Sequence, residues 1–203
     1  MLYTKRLIIV LGLLIVSGCL TQSSDAFKDL KYDWDIASTS LDGFRIQMSP
    51  RMAKKIASEK GYEIDTQFSD VTFDDIIEAG LKEHNSIYLS RSGEGKSVLN
   101  KIELVLSFEY GKTYHINLKH VFADHEDYQQ RAEDLLEFYL KKYPQLVLSK
   151  EDENFRAYTY KPNSLAYLSV TVDTRGPSRV SITVRDMNYS LNKEILEIYQ
   201  MDL

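Results

Sequence analysis

The chain is poor in several things at once, and each shortage excludes something. It has a single cysteine, Cys19, so no disulfide can form within it and stability must come from packing. It lacks an excess of positive charge: the formal net charge is −5, a mildly acidic balance that argues against nucleic acid as a partner, because phosphate binding needs a clustered positive field. The longest apolar run near the start, Leu7 to Val16, is about half of the roughly 20 residues that a membrane-spanning helix requires. No complete catalytic motif is present either. Gly95-Lys96-Ser97 ends like a phosphate-binding loop, but Ser90 stands where its first glycine belongs. Ser190 and Lys193 have the spacing of a serine acyl-enzyme without the companion motifs, and Ser190 is placed to cap a last helix. No cofactor is implied, and no enzyme.

What is present begins at the amino terminus. Lys5 and Arg6 precede the apolar run, and small residues follow it, the order of a secretory signal. Val16-Ser17-Gly18-Cys19 resembles the lipobox of bacterial lipoproteins. The resemblance implies cleavage between Gly18 and Cys19 and acylation of Cys19, with enough buried CH₂ groups for stable anchoring. It further implies a place in the bacterial cell envelope, and Leu20 after the cysteine points to the outer membrane. Residues 1–18 are then a signal peptide, 19–31 a lipid-bearing cysteine with a flexible tether, and 32–203 one globular domain. Removal of the signal takes Lys5 and Arg6 with it and leaves 185 residues at a net charge of −7. The 14 tyrosines and 8 phenylalanines are the obvious packing material.

Asp33 and Asp35 flank Trp34 in a way that raises a metal site, yet two carboxylates without further ligands read as solvated charge. From Leu41 the pattern sharpens. Asp42 to Met48 alternates as a short strand. Ser49 and Pro50 open a helix as N-cap and first residue; Met52, Ala53, Ile56 and Ala57 give it a buried stripe, and Gly61 closes it. This opening is similar to that of small exported bacterial α+β domains, a structural likeness that brings no catalytic residue. A strand from Tyr62 to Phe68, a helix from Thr72 to Lys82 and a strand from Ser86 to Arg91 follow, and a hairpin connection leads onward.

Between Lys101 and Tyr110 the even positions are apolar; after a turn at Gly111-Lys112, Tyr114, Ile116 and Leu118 resume that face. This registry governs the histidines. His115, His120 and His125, with Asp124, Glu126 and Asp127 nearby, invite a metal. If the strand runs to Val121, however, His115 and His120 point to opposite faces and cannot share an ion. His120, His125 and Asp124 remain as weak candidate site residues, and the acidic group reads more simply as favourable charge ahead of a helix. No metal is assigned.

That helix spans Tyr128 to Tyr143 and stops at Pro144. A charged loop, Ser149 to Asn154, precedes strands at Phe155–Tyr160, Ala166–Asp173 and Arg179–Asp186, the last two joined by a turn at Arg175-Gly176-Pro177. A final amphipathic helix carries Leu191, Ile195 and Ile198. The expected fold is α+β, a curved, mainly antiparallel sheet with helices packed on one face. A helix followed by strands occurs twice, without a convincing repeat of residues. The expected function is that of a non-catalytic envelope lipoprotein, a binding or assembly module held to the membrane by the lipid on Cys19 and facing a protein partner. The alternative is a lipid-anchored inhibitor or immunity-type protein that inserts Glu151-Asp152-Glu153 into a hydrolase.

Overall fold

The computed structural model describes residues 36, 38–78, 85–93, 99–122 and 127–188, all of which fall in one unit spanning 33–203. Its centre is a mainly antiparallel eight-stranded sheet accompanied by few helices. The segment expected to be a signal, with Gly18 and Cys19, the Asp33-Trp34-Asp35 cluster, Asp124, His125 and the expected last helix lie outside the described residues, as do Gly95-Lys96-Ser97 and Ser190.

The chain enters through a minimal hairpin, β1 (Ser40–Leu41) and β2 (Phe44–Arg45). Asp42 and Gly43 turn it with φ of 49° and 89°, the two left-handed positions a two-residue turn needs to match strand twist. The alternating run from Asp42 is therefore a turn and half a hairpin, because Asp-Gly outweighs the alternation around it. Helix α1 (Pro50–Glu59) starts where Ser49 Oγ accepts the Met52 amide at 3.3 Å. It ends in a Schellman arrangement: Tyr62 N–H donates to Ala57 O and Gly61 N–H to Ser58 O, at 2.9 and 3.2 Å, with Gly61 at φ 70°. Ala53 and Ala57 are buried as the stripe requires, but Met52 is half exposed.

The strand expected over residues 62–68 shrinks to β3 (Glu63–Ile64), since Asp65 accepts the Phe68 and Ser69 amides and turns the chain there. Helix α2 (Phe73–Glu78) opens on a reciprocal cap: the Asp75 amide donates to Thr72 Oγ1, and the Thr72 amide and hydroxyl donate to Asp75. Then come β4 (Asn85–Ser92), β5 (Leu99–Glu109) and β6 (Lys112–Phe122), paired antiparallel in sequence. Helix α3 (Tyr128–Lys142) precedes β7 (Val147–Asp152), β8 (Phe155–Tyr160), β9 (Ala166–Asp173) and β10 (Arg179–Asp186).

The strand order is β3-β4-β5-β6-β10-β9-β8-β7. Two four-stranded meanders thus run inward from opposite edges and join through their last strands, β6 and β10. Among the described strands, the one pair of sheet neighbours not in direct succession is this central pair, which the chain reaches by way of α3 and the far edge. Helix followed by meander does occur twice, as the sequence hints, although no residue pattern carries it.

Alternation sets what each face buries. Ile102, Leu104, Leu106, Phe108, Ile116 and Leu118 are buried on one face, and Val170, Val172, Val180, Ile182 and Val184 continue it. These join Ala53 and Ala57 of α1, Phe73 and Ile76 of α2, Ala132, Leu136 and Tyr139 of α3, and Tyr143 just after it in one core. Two expectations fail here. Residues 149–152 are not loop but most of β7, an edge strand exposed along its whole length. A strand with no buried face leaves no alternation to read; backbone pairing with β8 alone defines it. Tyr114 also departs from the apolar face. The pairing jumps from Ser107↔His115 to Phe108↔Thr113, so Tyr114 is the extra residue of a bulge. Thr113 takes the core-side place, and its hydroxyl donates to Met48 O at 2.8 Å.

Candidate functional site

β6 runs unbroken from the Tyr114 bulge to Phe122, so His115 and His120 fall on opposite faces, as alternation requires. His115 pairs across the sheet with Ser107, whose hydroxyl lies 3.3 Å from His115 Nδ1. His120 lies on the core side, where its Nε2 is 3.1 Å from the Tyr139 hydroxyl of α3. Side chains on opposite faces cannot share an ion, and among the described residues no three His, Cys, Asp or Glu side chains gather as a metal site.

The surroundings of His120 form a cavity of about 200 Å³ between the β1–β2 hairpin, the sheet and α3. Leu41, Ile102 and Leu118 give it an apolar floor, His120 and Tyr139 a polar wall, and Asp42, Arg91 and Lys142 its charges. Burial, offset by the pull of Asp42 and reinforced by Arg91, pushes His120 down to about 4, so the imidazole is neutral near pH 7. Burial likewise raises the Tyr139 hydroxyl well above the usual phenol value, and Tyr143, Asp42 and Tyr62 add to this. The wall is therefore a neutral hydrogen-bonded pair. General-base catalysis is most efficient with a pKa near the operating pH; that of His120 lies well below neutrality, and its hydrogen bond is with the Tyr139 phenol.

Asp42 is the hub of the rim. Lys60 Nζ and the Tyr62 hydroxyl each donate to it at 2.8 Å, and Arg91 Nη2 reaches it at 3.4 Å. Partial burial alone would raise this carboxyl, but the hydrogen bonds from Lys60 and Tyr62 and the charges of Lys60 and Arg91 win and hold it below its usual range. Arg91 also lies over the Tyr62 ring, 5.2 Å from its centroid. None of these partners is adjacent in sequence. Asp42-Gly43 is visible as a turn, but nothing local shows that its carboxylate will meet residues from the end of α1 and from β4.

The other face of the sheet is half-buried and polar. Ser86 and Ser107 hydroxyls are 2.8 Å apart, Asn117 Nδ2 donates to Thr183 Oγ1 at 2.6 Å, and Glu103 pairs with Lys119 and, at 3.5 Å, with Lys101. Burial would raise the Glu103 carboxyl, yet Lys119 and Lys101 outweigh it and hold the group low. Beside this ladder stands an aromatic ledge. The turn after β3 presents Phe68, 59% exposed, at 6.2 Å between ring centroids from Tyr88 of β4, 37% exposed. Asp65 fixes the turn: its amide donates to Tyr88 O at 2.8 Å and its carboxylate pairs with Lys101 at 3.3 Å. Below the two rings is a recess of about 170 Å³ lined in part by Val105, Asn117 and Lys119.

No protein-family model matches the chain, and it has no significant match among curated proteins or solved structures.

Proposed function

We propose that the protein is a non-catalytic binding or assembly module of the bacterial cell envelope, held to the outer membrane by acylation of Cys19 and engaging a protein partner. The observation that carries the binding role is the Phe68–Tyr88 ledge. Two large rings stand exposed, one on the turn after β3 and one on β4, above a recess and beside paired charges, the mixture that protein interfaces favour. In this reading α1, α2 and α3 all cover the core face of a curved sheet and leave the polar face for docking. The neutral His120–Tyr139 pair supports the non-catalytic part.

The test is affinity capture with full-length protein from detergent-solubilised membranes. Wild type should recover one stoichiometric protein, and the Phe68→Ala/Tyr88→Ala double variant should lose it while remaining folded. Recovery of no partner, or equal recovery by both, would overturn the reading. Palmitate labelling tests the anchor separately: label persisting in Cys19→Ala removes the lipid assignment.

A second reading, the lipid-anchored inhibitor, is favoured by the acidic tip of the β7–β8 hairpin. Glu151, Asp152 and Glu153 are exposed there, and Asp152 Oδ1 accepts the Asn154 amide at 3.1 Å, a turn fixed enough to insert into a cleft. A captured hydrolase released by Glu151→Lys/Asp152→Lys, but not by loss of the ledge, would select it.

A further inference from the structure

The recess below the Phe68–Tyr88 ledge restricts what a partner can place there. Its volume of about 170 Å³ is well below the ~300–1,000 Å³ of small-molecule sites and is of the order of a single side chain. The two rings and Val105 give it apolar surface.

The charges at its border are engaged with one another. Lys101 pairs with Asp65 at 3.3 Å and with Glu103 at 3.5 Å, and Lys119 pairs with Glu103. Two lysines and two carboxylates thus form one neutral chain. An ammonium or carboxylate entering beside it would have to break a pair or lie unpaired against apolar surface, and either is costly. Charge complementarity therefore selects an uncharged occupant.

Two polar groups at the recess remain open. Asn117 donates through Nδ2 to Thr183 at 2.6 Å, and its carboxamide oxygen, like the Tyr88 hydroxyl, has no hydrogen-bond partner among the described residues. An acceptor and a hydroxyl next to an apolar recess suit a peptide that carries an apolar side chain. A hydrocarbon tail would use neither.

We propose, resting on the ledge as the docking surface, that the partner is anchored by one uncharged aliphatic side chain of leucine size set into this recess. The peptide N–H beside it donates to the Asn117 carboxamide oxygen, and the Tyr88 hydroxyl donates to a peptide carbonyl. Arginine, common in interfaces, finds no free counter-charge here, and tryptophan exceeds the space.

The probes are acetylated, amidated alanine pentapeptides with leucine, lysine, glutamate or tryptophan at the centre. They are titrated into the full-length protein in lipid nanodiscs and followed by amide NMR shifts. The leucine peptide should bind saturably, shift the Val105 and Asn117 amides, and bind at least about fivefold more tightly than the other three. Val105→Ala enlarges the recess and should bring the tryptophan peptide level with the leucine peptide or above it, a gain that misfolding cannot imitate. Equal affinities for the four peptides, shifts that miss Val105 and Asn117, or an unchanged order in Val105→Ala would overturn the proposal. Shifts of the same amides with protein concentration alone would overturn it too, in favour of a second copy of this chain. Membrane capture reads separately. A partner lost with Phe68→Ala/Tyr88→Ala, but peptides without preference, keeps the docking surface and removes the aliphatic anchor. Selective peptides with nothing captured support the anchor and remove the envelope partner.

Discussion

His115 and His120 share one strand, five residues apart, and live in different chemical worlds. On the polar face His115 joins a ladder of hydroxyls, amides and ion pairs, most of them only half-buried. On the core face His120 meets a phenol above an apolar floor and gives up its proton affinity. The same contrast separates Tyr88 from Tyr139: one ring is displayed, the other enclosed at 6% exposure. Which side of a β-strand a residue occupies therefore matters more here than its type. Polar groups are held cheaply on one face and at a cost on the other, where His120 finds the Tyr139 hydroxyl but the Tyr143 hydroxyl is buried without a hydrogen-bond partner among the described residues.

The largest expected effect that tests this contrast comes from adjacent positions in β5. Leu104→Ala, at a fully buried site, should lower the unfolding free energy by about 2–5 kcal/mol, and Val105→Ala next to it by under about 1 kcal/mol. Equal losses in denaturant titrations would mean that both faces are equally packed. Next is the pH response of His120. Its folded pKa, about 4, lies below the ordinary 6.5, so folding favours the neutral form. The resulting stability is fully present above pH 6.5 and is lost as pH falls through about 4. In that window the slope should approach about 1.4 kcal/mol per pH unit for this one proton. The difference between wild type and His120→Gln isolates it from the carboxylates, and identical profiles would place His120 in water.

A smaller effect sharpens the role of the bulge. Thr113→Val removes the hydroxyl that donates to Met48 O on the core side and should cost about 1 kcal/mol by thermal or chemical denaturation. No loss would show that the bulge, not the hydrogen bond, anchors this point. The smallest is Glu103→Gln on the polar face. The Glu103 pairs are only partly buried, so the change should cost under about 1 kcal/mol and shrink in 1 M salt. A cost above that of Thr113→Val would erase the distinction between the faces.

Much of the framework is readable from local chemistry. Ser49-Pro50 and Gly61 mark α1, Pro144 follows α3, and the strands β8, β9 and β10 have the limits that alternation and turn residues indicate. The failures have physical causes. β7 is invisible because an exposed edge strand has no buried side to create a period. Met52 fits the α1 stripe but sits at its margin and is half exposed. Tyr114 misleads because one inserted residue reverses the face of everything on one side of it. For the His120 cavity, alternation alone assigns His120 to the core side. It says nothing of Asp42, Arg91 or Tyr139, which reach the same place from a hairpin, a strand and a helix.

By itself the sequence determines where helices and most strands begin and end, because capping residues, turn residues and alternation act over a few neighbours. It determines equally that His115 and His120 part company, a consequence of the period of two. Only the tertiary structure decides that the two meanders meet at β6 and β10, that Asp42 is held by Lys60, Tyr62 and Arg91, and that Lys142 stands at a cavity mouth. Those outcomes depend on contacts between residues distant along the chain. Such contacts form because the fold buries one shared apolar face, and no local pattern records which polar groups that burial brings together.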